Sequence, residues 1–125
     1  MVMIDTDILI WMFRKKPEIK IQFEELVRSV DGKIYVTPIQ IAEIYAGIRD
    51  AERDQTAIFF RVIRHIPIDD KIGQLAGEFL NRYQKSHNVT ISDALIAATS
   101  LLQHCRLWTL NKKHYPMMKT EDFWK

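Results

Sequence analysis

Four carboxylates stand where an ordinary surface acid would not. Asp5 and Asp7 interrupt an apolar stretch over residues 2–10, Glu43 is the only charge between Pro38 and Ile48, and Asp93 is the only charge between Val89 and Gln103. An acid in apolar surroundings must be paired, protonated or bound to a metal, because an isolated charge loses too much on leaving water. Acids that converge there also repel one another, and a hard divalent cation resolves both problems. Mg2+ or Mn2+ takes oxygen ligands, keeps several waters, and binds through one or two carboxylates together with substrate phosphate. Such an ion acidifies a bound water and neutralises charge on a phosphodiester during in-line attack, optionally with a second ion about 4 Å away. Phosphodiester hydrolysis is the chemistry these residue types imply. Asp5, Asp7 and Asp93 also suit the cap or first turn of a helix. Glu43, near the second turn of a helix without a polar face, has no such alternative.

The elements that must position these acids follow from punctuation and periodicity. Residues 2–4 read as a buried strand, broken by Asp5-Thr6-Asp7 before a helix over 8–13. After Pro17, the spacing of Ile19, Phe23, Leu26, Val27 and Val30 is helical up to Asp31-Gly32. Residues 33–36 form a second strand. Thr37, Pro38 and Gln40 supply a cap, a first-turn proline and a capping-box partner. The helix they open is apolar all round to Ile48, which predicts that it is buried. A charged helix over 51–63 leads to a short strand, Ile66-Pro67-Ile68, whose proline suits an edge. Asp69 and Asp70 cap a helix running to about Ser86, where Gly73 and Gly77 offer a notch for close packing. Thr90 or Ser92 caps the next helix, through Gln103, and residues 106–110 close the series as a fourth strand. Strands separated by helices, with no hairpin signal, predict an α/β fold: a small, mainly parallel sheet covered on both faces. Ligands of such sheets bind beyond the carboxyl ends of the strands, near a topological switch point. Asp5 stands at that edge.

Composition narrows the classes further. A chain of 125 residues, 47% hydrophobic and 27% charged, predicts a single domain over residues 1–125. Lone Cys105 and four scattered histidines provide no zinc-binding spacing, and four glycines assemble neither a dinucleotide fingerprint nor a P-loop. The apolar run over 8–13 is far below the roughly 18 residues of a membrane span. With no basic leader, the expectation is a cytoplasmic protein without a membrane partner. Eighteen Lys+Arg against sixteen Asp+Glu give a net charge of only +2, weak bulk support for a polyanion partner. Setting aside Asp5, Asp7, Glu43 and Asp93 leaves twelve acids against eighteen bases, so an acidic centre would sit in a moderately basic shell.

Read in order, Ile4-Asp5-Thr6-Asp7-Ile8-Leu9, Thr37-Pro38-Ile39-Gln40-Ile41-Ala42-Glu43-Ile44-Tyr45-Ala46-Gly47, Ser92-Asp93-Ala94-Leu95-Ile96-Ala97-Ala98-Thr99 and Leu110-Asn111-Lys112-Lys113-His114-Tyr115 span essentially the whole chain. The series resembles the PIN-domain ribonucleases, in particular the VapC toxins of toxin–antitoxin pairs. The resemblance implies a three-layer α/β/α sandwich, Mg2+- or Mn2+-dependent endonucleolytic cleavage of RNA, a cognate VapB-type antitoxin and a homodimer. It makes Asp5, Glu43 and Asp93 the catalytic, metal-holding acids. Thr6 matches a hydroxyl that supports the first acid, and Asp7 falls where relatives carry Asn or Asp. The terminal motif departs from the family's Thr-x-Asn-x-x-Asp-Phe: here Thr109 and Asn111 are followed by His114 and Tyr115, so a frequent fourth acid is missing. Asn111 offers a carbonyl without a charge, and His114 could contact phosphate or relay a proton.

RNA requires positive surface around the acids. Arg14, Lys15 and Lys16, with Lys112 and Lys113, are the candidate contacts, whereas Arg49, Arg53, Arg82 and Lys85 are generic surface bases. Trp11, Trp108 and Trp124 read as core or interface rather than stacking platforms. Three other readings compete. Asp5-Thr6-Asp7 mimics the nucleophile motif of haloacid-dehalogenase-like phosphatases, although Ile8 and Leu9 replace its small residues. A receiver domain suits the length, but the only Asp-Asp pair precedes a later helix. A non-catalytic RNA- or protein-binding module could keep the fold, although isolated acids would be costly to retain without a cation.

Overall fold

Four short strands and six helices alternate along the chain, and the computed structural model describes all 125 residues. The strands are β1 (Val2–Ile4), β2 (Ile34–Val36), β3 (Arg64–His65) and β4 (Arg106–Trp108). The helices are α1 (Thr6–Phe13), α2 (Pro17–Ser29), α3 (Pro38–Ala46), α4 (Arg53–Val62), α5 (Asp70–His87) and α6 (Ile91–Leu102). All strand pairs are parallel, in the order β3-β2-β1-β4.

Alternation along the strands sends side chains to two cores. Val2, Ile4, Ile34, Val36 and Trp108 face Ile8 and Leu9 of α1, Ile19 and Leu26 of α2, Ile44 of α3 and Phe60 of α4. Met3 and Leu107 face the opposite way, onto Ile96 and Ala97 of α6. There α5 lies over α6 through Ile72 and Ala76 against Ala94 and Ala98, whose small side chains permit close packing. The result is the expected three-layer α/β/α sandwich, its parallel sheet covered on both faces. No helix is long and apolar enough to cross a membrane.

Several boundaries differ from the sequence reading, each for a local reason. The first helix starts at Thr6 rather than Ile8, because the Asp5 carboxylate accepts from the Thr6 N–H and serves as its cap. The third strand lies at residues 64–65, not at Ile66-Pro67-Ile68. Ile66 N–H donates the last hydrogen bond, 2.9 Å to Val36 O, and Pro67 has no N–H to continue the ladder. A 3-10 turn at Asp50–Glu52 precedes α4. β4 stops at Trp108, since Thr109 and Leu110 turn their polar groups to nearby acids. The helix α3 ends at Ala46 and is not buried all round: only Gln40 and Ile44 are buried, while Ala42, Glu43, Tyr45 and Ala46 are exposed. Gly73 and Gly77 form no packing notch, for a Cβ at either would meet nothing within 4 Å. Of the tryptophans, Trp108 and Trp124 are core residues in contact, whereas Trp11 is 39% exposed with the Lys16 ammonium 4.6 Å above its ring.

Candidate active site

The chain steps from β1 to β2 to β3 in one direction and then crosses back to place β4 on the other side of β1. The switch point therefore lies between β1 and β4, and Asp5 N–H, bonded to Trp108 O at 2.9 Å, marks its carboxyl edge. Asp5 and Asp7 leave the end of β1, while Thr109 and Asn111 leave the end of β4, so the fold makes these segments neighbours.

Asp5 is the most enclosed of the acids, at 8% exposure. Its Oδ1 accepts from the Thr6 N–H at 2.8 Å, and its Oδ2 accepts from the hydroxyls of Thr109 and Tyr115, both at 2.8 Å. Asp7 works differently. Its Oδ1 accepts from the Ile8 N–H at 2.7 Å, and its Oδ2 accepts from the Leu110 N–H at 3.0 Å and Asn111 Nδ2 at 3.1 Å. Thr109 Oγ1 is also 3.3 Å from that atom, but its single proton favours the shorter bond to Asp5. Thr109 Oγ1 accepts in turn from the Asn111 N–H at 3.1 Å. Asp7 is thus the clamp that shapes residues 109–111.

Glu43 reaches the same centre from α3. The capping box of Thr37 and Gln40 starts this helix, and the buried Gln40 then donates through Nε2 to Ile4 O at 3.0 Å, tying α3 to the end of β1. Glu43 follows one turn later on the same face. Its Oε1 accepts from the Thr6 hydroxyl at 2.7 Å. Thr6 therefore supports Glu43 with its hydroxyl and reaches Asp5 only through its backbone, a change from the role inferred by resemblance. Asp93 sits in the first turn of α6, where it completes a capping box: Thr90 Oγ1 accepts from the Asp93 N–H at 3.1 Å and Asp93 Oδ2 accepts from the Thr90 N–H at 3.3 Å. Its charge is felt at Glu43 and Tyr115.

None of the four acids has a basic partner; the ion pairs of the molecule are Arg53–Asp50 and Lys125–Glu25. Burial, reinforced by the charge of Asp7, pushes Asp5 up from 3.8 to about 6 against the hydrogen bonds of Thr109, Tyr115 and Thr6. Burial also raises Asp7, opposed by its donors. Partial loss of water raises Glu43, the Thr6 hydroxyl opposes that, and the charges of Asp5 and Asp93 add to it. The donor set consists of oxygens alone, and uncompensated negative charge is what a cation removes. Asp5 Oδ1 keeps a free lone pair, while Glu43 Oε2 and Asp93 Oδ1 accept no hydrogen bond. No three carboxylates close into a ready-made cage. What suits a hard ion is the chemistry of the donors, oxygens alone with several left unengaged, for an ion that keeps several of its own waters.

The other candidates divide. Asn111 is drawn in through its amide nitrogen, whereas His114 is exposed and makes no side-chain hydrogen bond. Arg14 lines a cleft with Ile10, Phe13 and Glu43. Lys15 is exposed after α1, and Lys113 is exposed in a 3-10 turn at Lys112–His114. Lys112 instead donates to Lys125 O at 2.8 Å and lies over the Phe123 ring. Local sequence pattern assigns no site role to Thr109 or Tyr115 and marks Gln40 only as a cap. A signal for Tyr115 existed, since a tyrosine at an apolar motif position must find a partner for its buried hydroxyl.

The PIN domain family matches residues 2–117. Ribonuclease VapC10 of Mycobacterium tuberculosis is 34% identical over 121 residues, covering 95% of this chain and 89% of the relative. Ribonuclease VapC19 of the same organism is 30% identical over 118 residues, 94% of each chain. A toxin–antitoxin complex from Klebsiella pneumoniae contains a chain of the same fold, with TM-score 0.79, 20% identity, and coverage of 100% of this chain and 97% of that one. PIN ribonucleases are in general metal-dependent. With its α/β/α order, its acids at the β1–β4 switch point and these relatives, the chain belongs to the PIN domain family, on the branch of the VapC ribonucleases.

Proposed function

We propose that this chain is a metal-dependent endoribonuclease toxin, neutralised by a VapB-type antitoxin, with Asp5, Glu43 and Asp93 holding Mg2+ or Mn2+. The observation that carries the reading is the pair Asp5 and Glu43, joined through Thr6 at the switch point and without a basic partner, in a chain whose relatives are named ribonucleases. The solved chain of like fold, described as part of a toxin–antitoxin complex, supports the antitoxin. When bound, the ion supplies an acidified water and charge neutralisation at the scissile phosphodiester.

The chain's own residues do the rest. Asp5 is oriented by Thr6, Thr109 and Tyr115, and Glu43 is oriented by the Thr6 hydroxyl. Asp7 holds residues 109–111 in place, and Asn111 keeps its carbonyl oxygen available while its nitrogen is engaged. Arg14, Lys15, Lys16 and Lys113 form the basic margin for RNA phosphates, Lys112 joins it only on leaving Lys125 O, and His114 is a further phosphate contact at that margin. The domain comprises residues 1–125, acts in the cytoplasm and pairs as a homodimer.

The test is cleavage of RNA with Mn2+ by the antitoxin-free protein and by Asp5→Asn. Wild-type cleavage that the substitution abolishes is expected; no wild-type cleavage, or equal cleavage by the variant, overturns the nuclease reading. Expression without the antitoxin should arrest growth and co-expression should restore it. A chain harmless on its own overturns the toxin role while leaving the nuclease role standing.

A further inference from the structure

Tyr115 is 1% exposed, and its hydroxyl has one partner, Asp5 Oδ2 at 2.8 Å, across 110 positions of sequence. Its ring packs edge-on against Phe123, with centroids 6.5 Å apart, and phenylalanine would serve that contact equally well. The hydroxyl is therefore not a requirement of packing. A buried hydroxyl is costly without an acceptor, so its position is coupled to that of the carboxylate.

The second observation is the count of lone pairs on Asp5. Thr109 and Tyr115 give Oδ2 two donors, as many as its two lone pairs accept, while Oδ1 has a single donor, the Thr6 N–H. Rotation of the carboxylate about its Cβ–Cγ bond would break all three hydrogen bonds, and bidentate ligation would need an Oδ2 lone pair that is already engaged. We propose that Tyr115 is a positioning residue for the cleavage reaction: with Thr109 it saturates Asp5 Oδ2 and leaves Oδ1 as the one atom through which Asp5 holds a divalent cation. This rests on the reading of Asp5 as a metal-holding acid.

The test is calorimetric titration of Mn2+ into the full chain, freed of antitoxin, for wild type, Tyr115→Phe, Thr109→Val and Phe123→Leu. Partners that orient a metal ligand typically alter affinity by about 10- to 100-fold. Tyr115→Phe and Thr109→Val should each weaken Mn2+ binding by about tenfold. Thr109→Ser, which keeps the hydroxyl, should restore it. Phe123→Leu, which loosens the aromatic contact and leaves both hydroxyls, should not change it. Unchanged or tighter Mn2+ binding by Tyr115→Phe overturns the proposal, as does an equal loss in Phe123→Leu, which would assign the effect to packing. If Tyr115→Phe does not fold, Thr109→Val decides alone: unchanged affinity there means that saturation of Oδ2 does not govern binding. Failure of the wild type to bind Mn2+ would instead overturn the metal reading on which the proposal rests.

Discussion

The two halves of the acidic centre are built on opposite terms. On the β1–β4 side, Asp5 and Asp7 lie within a web of six donors from Thr6, Ile8, Thr109, Leu110, Asn111 and Tyr115. On the other side, exposed Glu43 has one hydroxyl donor, and Asp93 has a single 3.3 Å contact to its own helix cap. The first half is set before any ligand arrives. The second half is open, so it is the part able to follow an ion and a phosphodiester. Rigid orientation on one side and exposed carboxylate oxygens on the other is a sensible division for a centre that must both hold charge and admit a large polymer.

Asp5→Asn should reduce Mn2+-supported RNA cleavage by about 10^3-fold, the scale of several kcal/mol of charge stabilisation. Residual activity within tenfold of wild type in single-turnover assays would place the chemistry elsewhere.

The same residue makes a stability prediction of nearly equal size. Asp5 binds its proton more tightly folded, at about 6, than unfolded, near 3.8. Its contribution is therefore present in full below the lower value and is lost as pH rises through the upper one, a loss of about 3 kcal/mol. In chelator, the unfolding free energy of wild type relative to Asp5→Asn should fall by that amount between about pH 3 and pH 8. A pH-independent difference in urea titrations would contradict the electrostatic strain assigned to this side.

Glu43→Gln tests the open half. Cleavage should fall by about 10^2-fold, while stability changes by less than about 0.5 kcal/mol, as for an exposed substitution that keeps its hydrogen-bond acceptor. A large drop in unfolding midpoint would show that the open side is structural after all. Asp7→Ala tests the rigid half from its edge. Leaving Leu110 N–H and Asn111 Nδ2 without their acceptor should destabilise the protein by about 1.5 kcal/mol in urea unfolding. No loss would remove Asp7 from its role as a clamp.

Much of the fold was readable along the chain because its signals are local. The Thr37-Pro38-Gln40 start, the Asp31-Gly32 stop and the Asp69 cap act within a few residues of themselves, and the structure places helix ends at each. The misreadings have the same explanation in reverse. Residues 64–65 are exposed and carry no strand pattern, and their strand exists because Tyr35 and Val36 offer a free edge. The helix α3 looks buried by composition, but what covers a helix depends on its neighbours. Of the site, the unusual setting of Asp5, Glu43 and Asp93 was visible in the residues beside them. The assignment of Thr6 to Glu43, and of Gln40 to Ile4, was not, because each bond joins residues more than thirty positions apart.

By itself, then, the sequence determined which acids would be expensive to leave without a cation, and which strands and helices would carry them, since isolation of charge and helix capping are properties of neighbouring residues. Only the tertiary structure decided what each carboxylate oxygen does. The return of the chain across the sheet sets β4 beside β1, bringing Thr109 and Tyr115 onto one oxygen of Asp5 and Leu110 and Asn111 onto one oxygen of Asp7. The geometry of a hydrogen bond across a hundred residues is a consequence of that crossover, and no local rule contains it.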